Sequence, residues 1–143
     1  METDETRIAV GVRYVVKIDG EALGEFSSCE GLGVEVVMES REEGGNNGFV
    51  WQFPTRLKYS NVKLTRPIDG GASGRILDWI AQAPQVSPTD GHIEVKNAHG
   101  DKVTGWTLKQ VLPVRWSGPG LNPDQPKVLT ETLEISHCGI AAG

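Results

Sequence analysis

Apolar and polar side chains alternate with a period of two along most of this chain, and that pattern constrains its fold more than any other feature. In VRYVVKI, Val12, Tyr14, Val16 and Ile18 fall on one face of an extended segment, while Arg13 and Lys17 fall on the other. Successive strand side chains project to opposite sides, so such a run presents one face to a core and one to water. Asp19-Gly20 reads as a hairpin turn into a short strand around Leu23 to Ser28. Leu32, Val34, Val36 and Met38 alternate with Gly33, Glu35 and Val37 in the next strand. The same rhythm returns at Val62 and Leu64, Ile93 and Val95, Trp106 and Leu108, and Leu133 and Ile135. The pattern predicts a mainly β fold, an antiparallel sandwich or barrel of short, half-buried strands.

One stretch departs from it. After Asp69-Gly70-Gly71, SGRILDWIAQA places Ile76, Leu77 and Ile80 at helical spacing. Ser73 is the expected N-cap, and Pro84 stops the helix just after Ala83. Between the third strand and Tyr59 lies SREEGGNNGFVWQFPTRLK, whose Gly- and Asn-rich centre cannot build a core. Its arms, Val37 to Arg41 and Phe49 to Phe53, are expected to pair as a long extended hairpin. Phe49, Trp51 and Phe53 put three aromatics at alternate positions, too many for a solvated tip, and so point to a contact surface. A surface loop is the plainer reading of the same residues.

With 143 residues, no internal repeat and no linker, the expectation is one domain over 1–143, with 1–10 a flexible N-terminal tail. METDE lacks the basic start and apolar stretch of a signal peptide, and no apolar run spans a membrane. A formal charge of -5 with mixed signs argues against phosphate neutralisation on nucleic acid and against a polybasic membrane anchor. Two cysteines, Cys29 and Cys138, are too few for a disulfide scaffold, and two reduced thiols after cytoplasmic folding are expected.

Nothing in the chain spells catalysis or metal binding. His92, His99 and His137 lack metal-ligand spacing, and His137 and Cys138, as strand neighbours, point to opposite faces. GGASGR precedes a helix but lacks the Lys followed by Ser or Thr of a phosphate loop. Glu42-Glu43 sit in the polar loop, where both ionise freely. No catalytic residue, cofactor or metal is therefore assigned. Trp51, Trp79, Trp106 and Trp116 suit core and interface packing better than a sugar-stacking platform.

Four stretches, in order, resemble the tail-tube proteins of contractile phages and phage-like contractile injection systems. They are FSSCEGLGVEVVMES (26–40), EEGGNNG (42–48), YSNVKLTRPIDGGASGRILDWIAQ (59–82) and PVRWSGPGLNPDQPKVLTETLEISHCG (113–139). The last is the most specific, with Trp116-Ser117-Gly118-Pro119 and Leu121-Asn122 ahead of a final strand ending in His137. The resemblance runs from about Val12 to Gly139. Pro67 departs from it, standing where the family usually has Gly or another residue.

The resemblance implies two antiparallel sheets wrapped into a barrel-like sandwich, six copies closing into a ring, and rings stacking into a hollow tube. It implies a mechanical role: a tube inside a contractile sheath, driven through an envelope as a conduit for DNA, effector protein or nothing. Carried over, the hairpin from Arg41 to Lys58 reaches a neighbouring copy, with Glu43, Gly44, Gly45 and Asn46 shaping its tip. Phe49, Trp51 and Pro54 would pack its returning arm. The loop Ile68 to Ser73, with Asp69 and Gly70, and the segment Trp116, Gly118, Pro119, Leu121 and Asn122 are the other implied assembly surfaces. For Trp116 and Trp79, core packing and an interface role stand level. Glu35 and Glu39 are the candidates for an acidic lumen lining that would repel DNA or acidic cargo. The implied partners are copies of itself, a sheath protein, baseplate tube-initiators, and a tape-measure or cargo protein. A secreted ring-forming carrier of the type VI kind, and a free-standing β-sandwich binding module, are the alternatives.

Overall fold

The sheet path of this chain returns to its own beginning. The computed structural model describes residues 12–18, 21–41, 50–68, 70–85, 87–121, 124 and 128–143. In chain order the strands are β1 (Arg13–Ile18), β2 (Glu21–Phe26), β3 (Ser28–Glu30), β4 (Val34–Arg41), β5 (Trp51–Tyr59) and β6 (Val62–Pro67). Helix α1 (Gly70–Gln82) and a 3-10 turn (Ala83–Gln85) follow, then β7 (Thr89–Lys96), β8 (Lys102–Ser117), β9 (Thr130–Ser136) and β10 (Gly139–Ala142). The main sheet runs β2-β1-β7-β8-β9-β6-β3, every pair antiparallel, with β10 also on β8. Its two end strands, β2 and β3, are separated in sequence by Ser27 alone. The Ser27 amide donates to the Thr65 carbonyl at 2.9 Å, so the ends meet and a barrel closes. Closure removes the open edges that a flat sheet would expose.

Strand β8 makes this possible by serving two neighbours. Its first half pairs with β7 and its last residues pair with β9. The bend falls at Gln110, a non-glycine residue in the left-handed region with φ 52°. There two β8 residues, Lys109 and Gln110, stand opposite Asp90, a β-bulge that re-aims the strand. The Asp90 carboxylate holds the bulge, accepting from Lys109 Nζ at 2.9 Å and from the Gln110 amide at 3.4 Å.

The alternation read from sequence supplies the core. Val16, Ile18, Val62, Leu64, Ile93, Leu108, Leu133 and Ile135 are buried inside the barrel, with Leu23, Phe26 and Val111. Helix α1 contributes Ile76, fully buried, with Trp79 and Ile80 packed beside it. Two details of the helix differ from the expectation. It starts at Gly70, so Ser73 lies within its first turn instead of at the cap, and Leu77 faces outward. Three apolar residues at helical spacing cover more than one face, and packing used only part of it. The predicted turn at Asp19-Gly20 lies outside the described residues, although Ile18 pairs with Glu21 and leaves two residues for it. No helix among the described residues is long and apolar enough to cross a membrane.

Among the described residues, strands β4 and β5 pair only with each other, forming a two-stranded ribbon outside the barrel. Gly31 makes its departure possible. At φ 91° any side chain is strained, and a Cβ there would run into the Asn61 carbonyl oxygen. Val34, Val36 and Met38 were expected to be half-buried; all three are exposed. Alternation established that one face is apolar, but among the described residues no strand packs over it.

Candidate assembly surfaces

The ribbon is longer than the sequence suggested. Its ladder extends from Val34↔Tyr59 to Arg41↔Trp51, and of its two strands only Val37 and Tyr59 escape full exposure. A bulge at Thr55 interrupts the register between Val37↔Arg56 and Met38↔Pro54. Thr55 Oγ1 donates to the Val37 carbonyl at 2.8 Å and steadies it. The bulge also admits Pro54, which has no amide to give a ladder.

Directly opposed residues share a face, so the register sorts the ribbon into two surfaces. One carries Val34, Val36, Met38, Leu57, Tyr59 and Pro54. The other carries Glu35, Glu39, Arg41, Arg56 and Lys58, with Trp51 and Phe53. Without the bulge, Trp51 and Phe53 would lie with Leu57 and Tyr59. The extra residue moves them to the charged face, and Pro54 to the apolar one. Glu35 and Glu39 do share a face, but with three cations, so that surface is not acidic. Phe49 and the tip residues Glu43, Gly44, Gly45 and Asn46 lie outside the described residues, as do Asp69 and Asn122. Gly70 is the first residue of α1.

The second surface leaves the barrel at the end of β8. Trp116 pairs with Leu133, and its Nε1 reaches diagonally to Glu131 Oε2 at 2.9 Å. The ring is half-buried and packs against the core. Its far edge lies on Gly118, where a Cβ would stand 2.7 Å from Cη2. Beyond it Pro119 is half-buried and Leu121 is 78% exposed. Ile68, Val128 and Leu129 are exposed apolar residues at the same end of β6 and β9, where the Ile68 amide donates to the Leu129 carbonyl at 2.9 Å. Trp79 packs on the core.

Glu131 belongs to the one buried ion pair among the described residues, and sequence reading passed over it. Arg66 Nε lies 2.8 Å from Glu131 Oε1, the side chains 5% and 0% exposed. The Arg66 guanidinium also donates from Nη1 to the Leu23 carbonyl at 2.7 Å and sits 4.4 Å above the Phe26 ring. Burial by itself raises the Glu131 pKa; hydrogen bonds from Arg66 and Trp116 outweigh it and hold the carboxyl below the usual glutamate value. The Ser73 hydroxyl approaches the same carboxylate from α1 without reaching hydrogen-bond geometry. A signal was present in the sequence. Val62, Leu64 and Arg66 continue one stripe, as do Glu131, Leu133 and Ile135, so each core-facing stripe holds one charge of opposite sign.

The histidines are dispersed. His92 Nδ1 meets Thr107 Oγ1 at 3.1 Å, His99 is exposed, and His137 packs against Tyr59. Both cysteines are free thiols.

A family model described as T4-like virus tail tube protein gp19 matches residues 10–141. This chain belongs to that family. No curated protein matches the sequence. Among solved structures, the tail-tube chain is similar to one in the extended sheath–tube complex of the extracellular contractile injection system PVC. The TM-score is 0.79 at 18% identity, covering 100% of this chain and 98% of that one. It is also similar to a chain of the anti-feeding prophage baseplate, with TM-score 0.77 at 20% identity and coverage of 99% and 97%. Hcp1 from Flavobacterium johnsoniae is more distant, with TM-score 0.55 at 14% identity and coverage of 92% and 94%. At these identities the likeness is one of fold. The tail-tube family membership makes this protein a structural subunit of a phage tail or phage-like injection particle.

Proposed function

We propose that this tail-tube protein forms hexameric rings that stack into the inner tube of a contractile particle, assembled in the bacterial cytoplasm. The observation that carries the reading is the β4–β5 ribbon. A two-stranded ribbon is marginal by itself in water, and one whose apolar face no described strand covers needs a neighbour. A second copy is the occupant, because a head-to-tail contact lets one chain both close rings and extend a stack. The apolar face of Val34, Val36, Met38 and Leu57 seats against that copy. The mixed-charge face of Glu35, Glu39, Arg56 and Lys58 is left to water, as a lumen wall that grips neither polyanions nor polycations. The segment Trp116 to Asn122 and the loop Ile68 to Ser73 make the other contacts.

The role is mechanical, with binding energy spread over large obligate interfaces instead of one pocket. A sheath protein outside, baseplate proteins that initiate the tube, and a tape-measure or cargo protein inside are the partners such a tube requires. Negative-stain microscopy of the purified protein tests it: tubes of uniform width are expected, and a strict monomer at high concentration would overturn it. Deleting Glu43 to Asn47 should block stacking while leaving the barrel folded; normal tubes from that variant would remove the hairpin from the mechanism. The likeness to Hcp1 supports a second reading, a released ring-forming carrier, which would give single rings that do not stack.

A further inference from the structure

An ion pair sealed in a β-barrel core asks for a reason. The cost of desolvating two charges offsets most of their attraction, and apolar residues of similar volume often serve stability as well or better. Arg66 and Glu131 are nevertheless buried together, 2.8 Å apart. Each oxygen of Glu131 has one donor: Oε1 accepts from Arg66 Nε, and Oε2 accepts from Trp116 Nε1 at 2.9 Å. Arg66 is itself held by the Leu23 carbonyl and the Phe26 ring, so both oxygens of the carboxylate meet positioned donors.

Trp116 is the residue before the last of β8, and the chain leaves the barrel directly after it. The indole is held at its nitrogen by Glu131 and lies with its opposite edge against Gly118. A chain of contacts thus runs from the centre of the core to an exposed loop through Arg66, Glu131, Trp116 and Gly118, and three residues further along the backbone Leu121 stands in solvent.

We infer that Glu131, oriented by Arg66, is a positioning residue for assembly: it locks the Trp116 ring as the template on which the segment Trp116 to Leu121 is laid out for the next copy. The inference rests on the tube reading above, in which that segment meets a neighbour. A loop that must be ordered at each contact loses affinity to that ordering, and a loop held in place beforehand does not. The charge is kept for the geometry of the loop, not for the stability of the barrel.

The test compares folding with assembly. R66M/E131L replaces the ion pair by apolar side chains and removes the acceptor of Trp116. Its melting temperature should equal or exceed that of the wild type. Its threshold concentration for tube growth, followed by sedimentation, should rise roughly tenfold or more, the size of one lost hydrogen bond to a charged group. W116F keeps an aromatic ring but has no N–H, should raise the threshold likewise, and should add nothing further on the R66M/E131L background. The Trp116 indole N–H resonance of the 15N-labelled protein should shift between wild type and R66M/E131L. If R66M/E131L does not fold, W116F decides. Either folded variant growing tubes at the wild-type threshold overturns the inference. Wild-type protein that forms neither rings nor tubes overturns the tube reading instead, a different and recognisable result.

Discussion

Tyr59 and His137 meet ring to ring where the ribbon joins the barrel, their centroids 5.3 Å apart and their planes tilted by 54°. Tyr59 is the last residue of β5, and His137 sits between β9 and β10, its Nδ1 donating to the Gly139 carbonyl at 3.0 Å. A tilted pair at this separation contributes about 0.5–1.5 kcal/mol beyond its buried area. His137→Ala should therefore loosen the root of the ribbon more than the barrel. Hydrogen exchange should quicken across the β4–β5 ladder while β7 and β8 amides keep their protection. Uniform quickening of both would mean the contact supports the whole fold.

The apolar face of the ribbon can be removed without opposing its own pairing. Val36 and Leu57 lie directly across from each other and are 49% and 53% exposed. Val36→Lys with Leu57→Glu keeps a favourable cross-strand pair and should change monomer stability by less than about 0.5 kcal/mol. Tube formation should fail. Tubes of normal length under the microscope would show that this face is not an interface.

Glu131→Gln leaves Arg66 buried beside a neutral amide. Removing one partner of a buried pair costs about 3–5 kcal/mol, far more than the apolar double replacement. The pH dependence follows from the lowered pKa of Glu131. Its contribution is complete above the ordinary glutamate value of 4.5 and is lost as pH falls through the lower value of the folded state. Urea midpoints of the wild type should drop in that acid range, and R66M/E131L should lack this component of the drop.

The two thiols should react unequally. Burial, and then the charge of Glu30, push the Cys29 pKa up to about 11, whereas Cys138 is exposed. Because only the thiolate attacks, alkylation at about pH 8 should modify Cys138 first and leave Cys29 largely intact. Peptide mass mapping reads the order, and equal labelling of both would contradict this burial of Cys29.

Gln110 holds the left-handed conformation at the β8 bend. Gln110→Gly should stabilise the barrel by about 1 kcal/mol or less, since relief of strain is partly offset by a looser unfolded chain. Gln110→Val should destabilise it, because a β-branched residue tolerates that conformation least. Thermal denaturation of the two variants checks the opposite signs.

Val62, Leu64, Leu133 and Ile135 show how far the sequence alone reaches. Their alternation specified which side chains go inward, and Ile76 followed from helical spacing, because these periods are properties of the backbone. Sequence patterns also drew the resemblance to the tail-tube family, from motifs spread over nearly the whole chain. The same alternation in Val34, Val36 and Met38 could not say what covers their face, since that depends on which strand packs beside them, and among the described residues none does. The bulge at Thr55 was equally out of reach: one extra residue transfers Trp51 and Phe53 to the charged face, and register is settled by pairing between strands. Arg66 and Glu131 were each visible as a charge on an apolar stripe, but 65 residues separate them. Only the pairing of β6 with β9 brings them together, setting Arg66 directly opposite Glu131, because a contact between distant residues depends on the path of every strand between them.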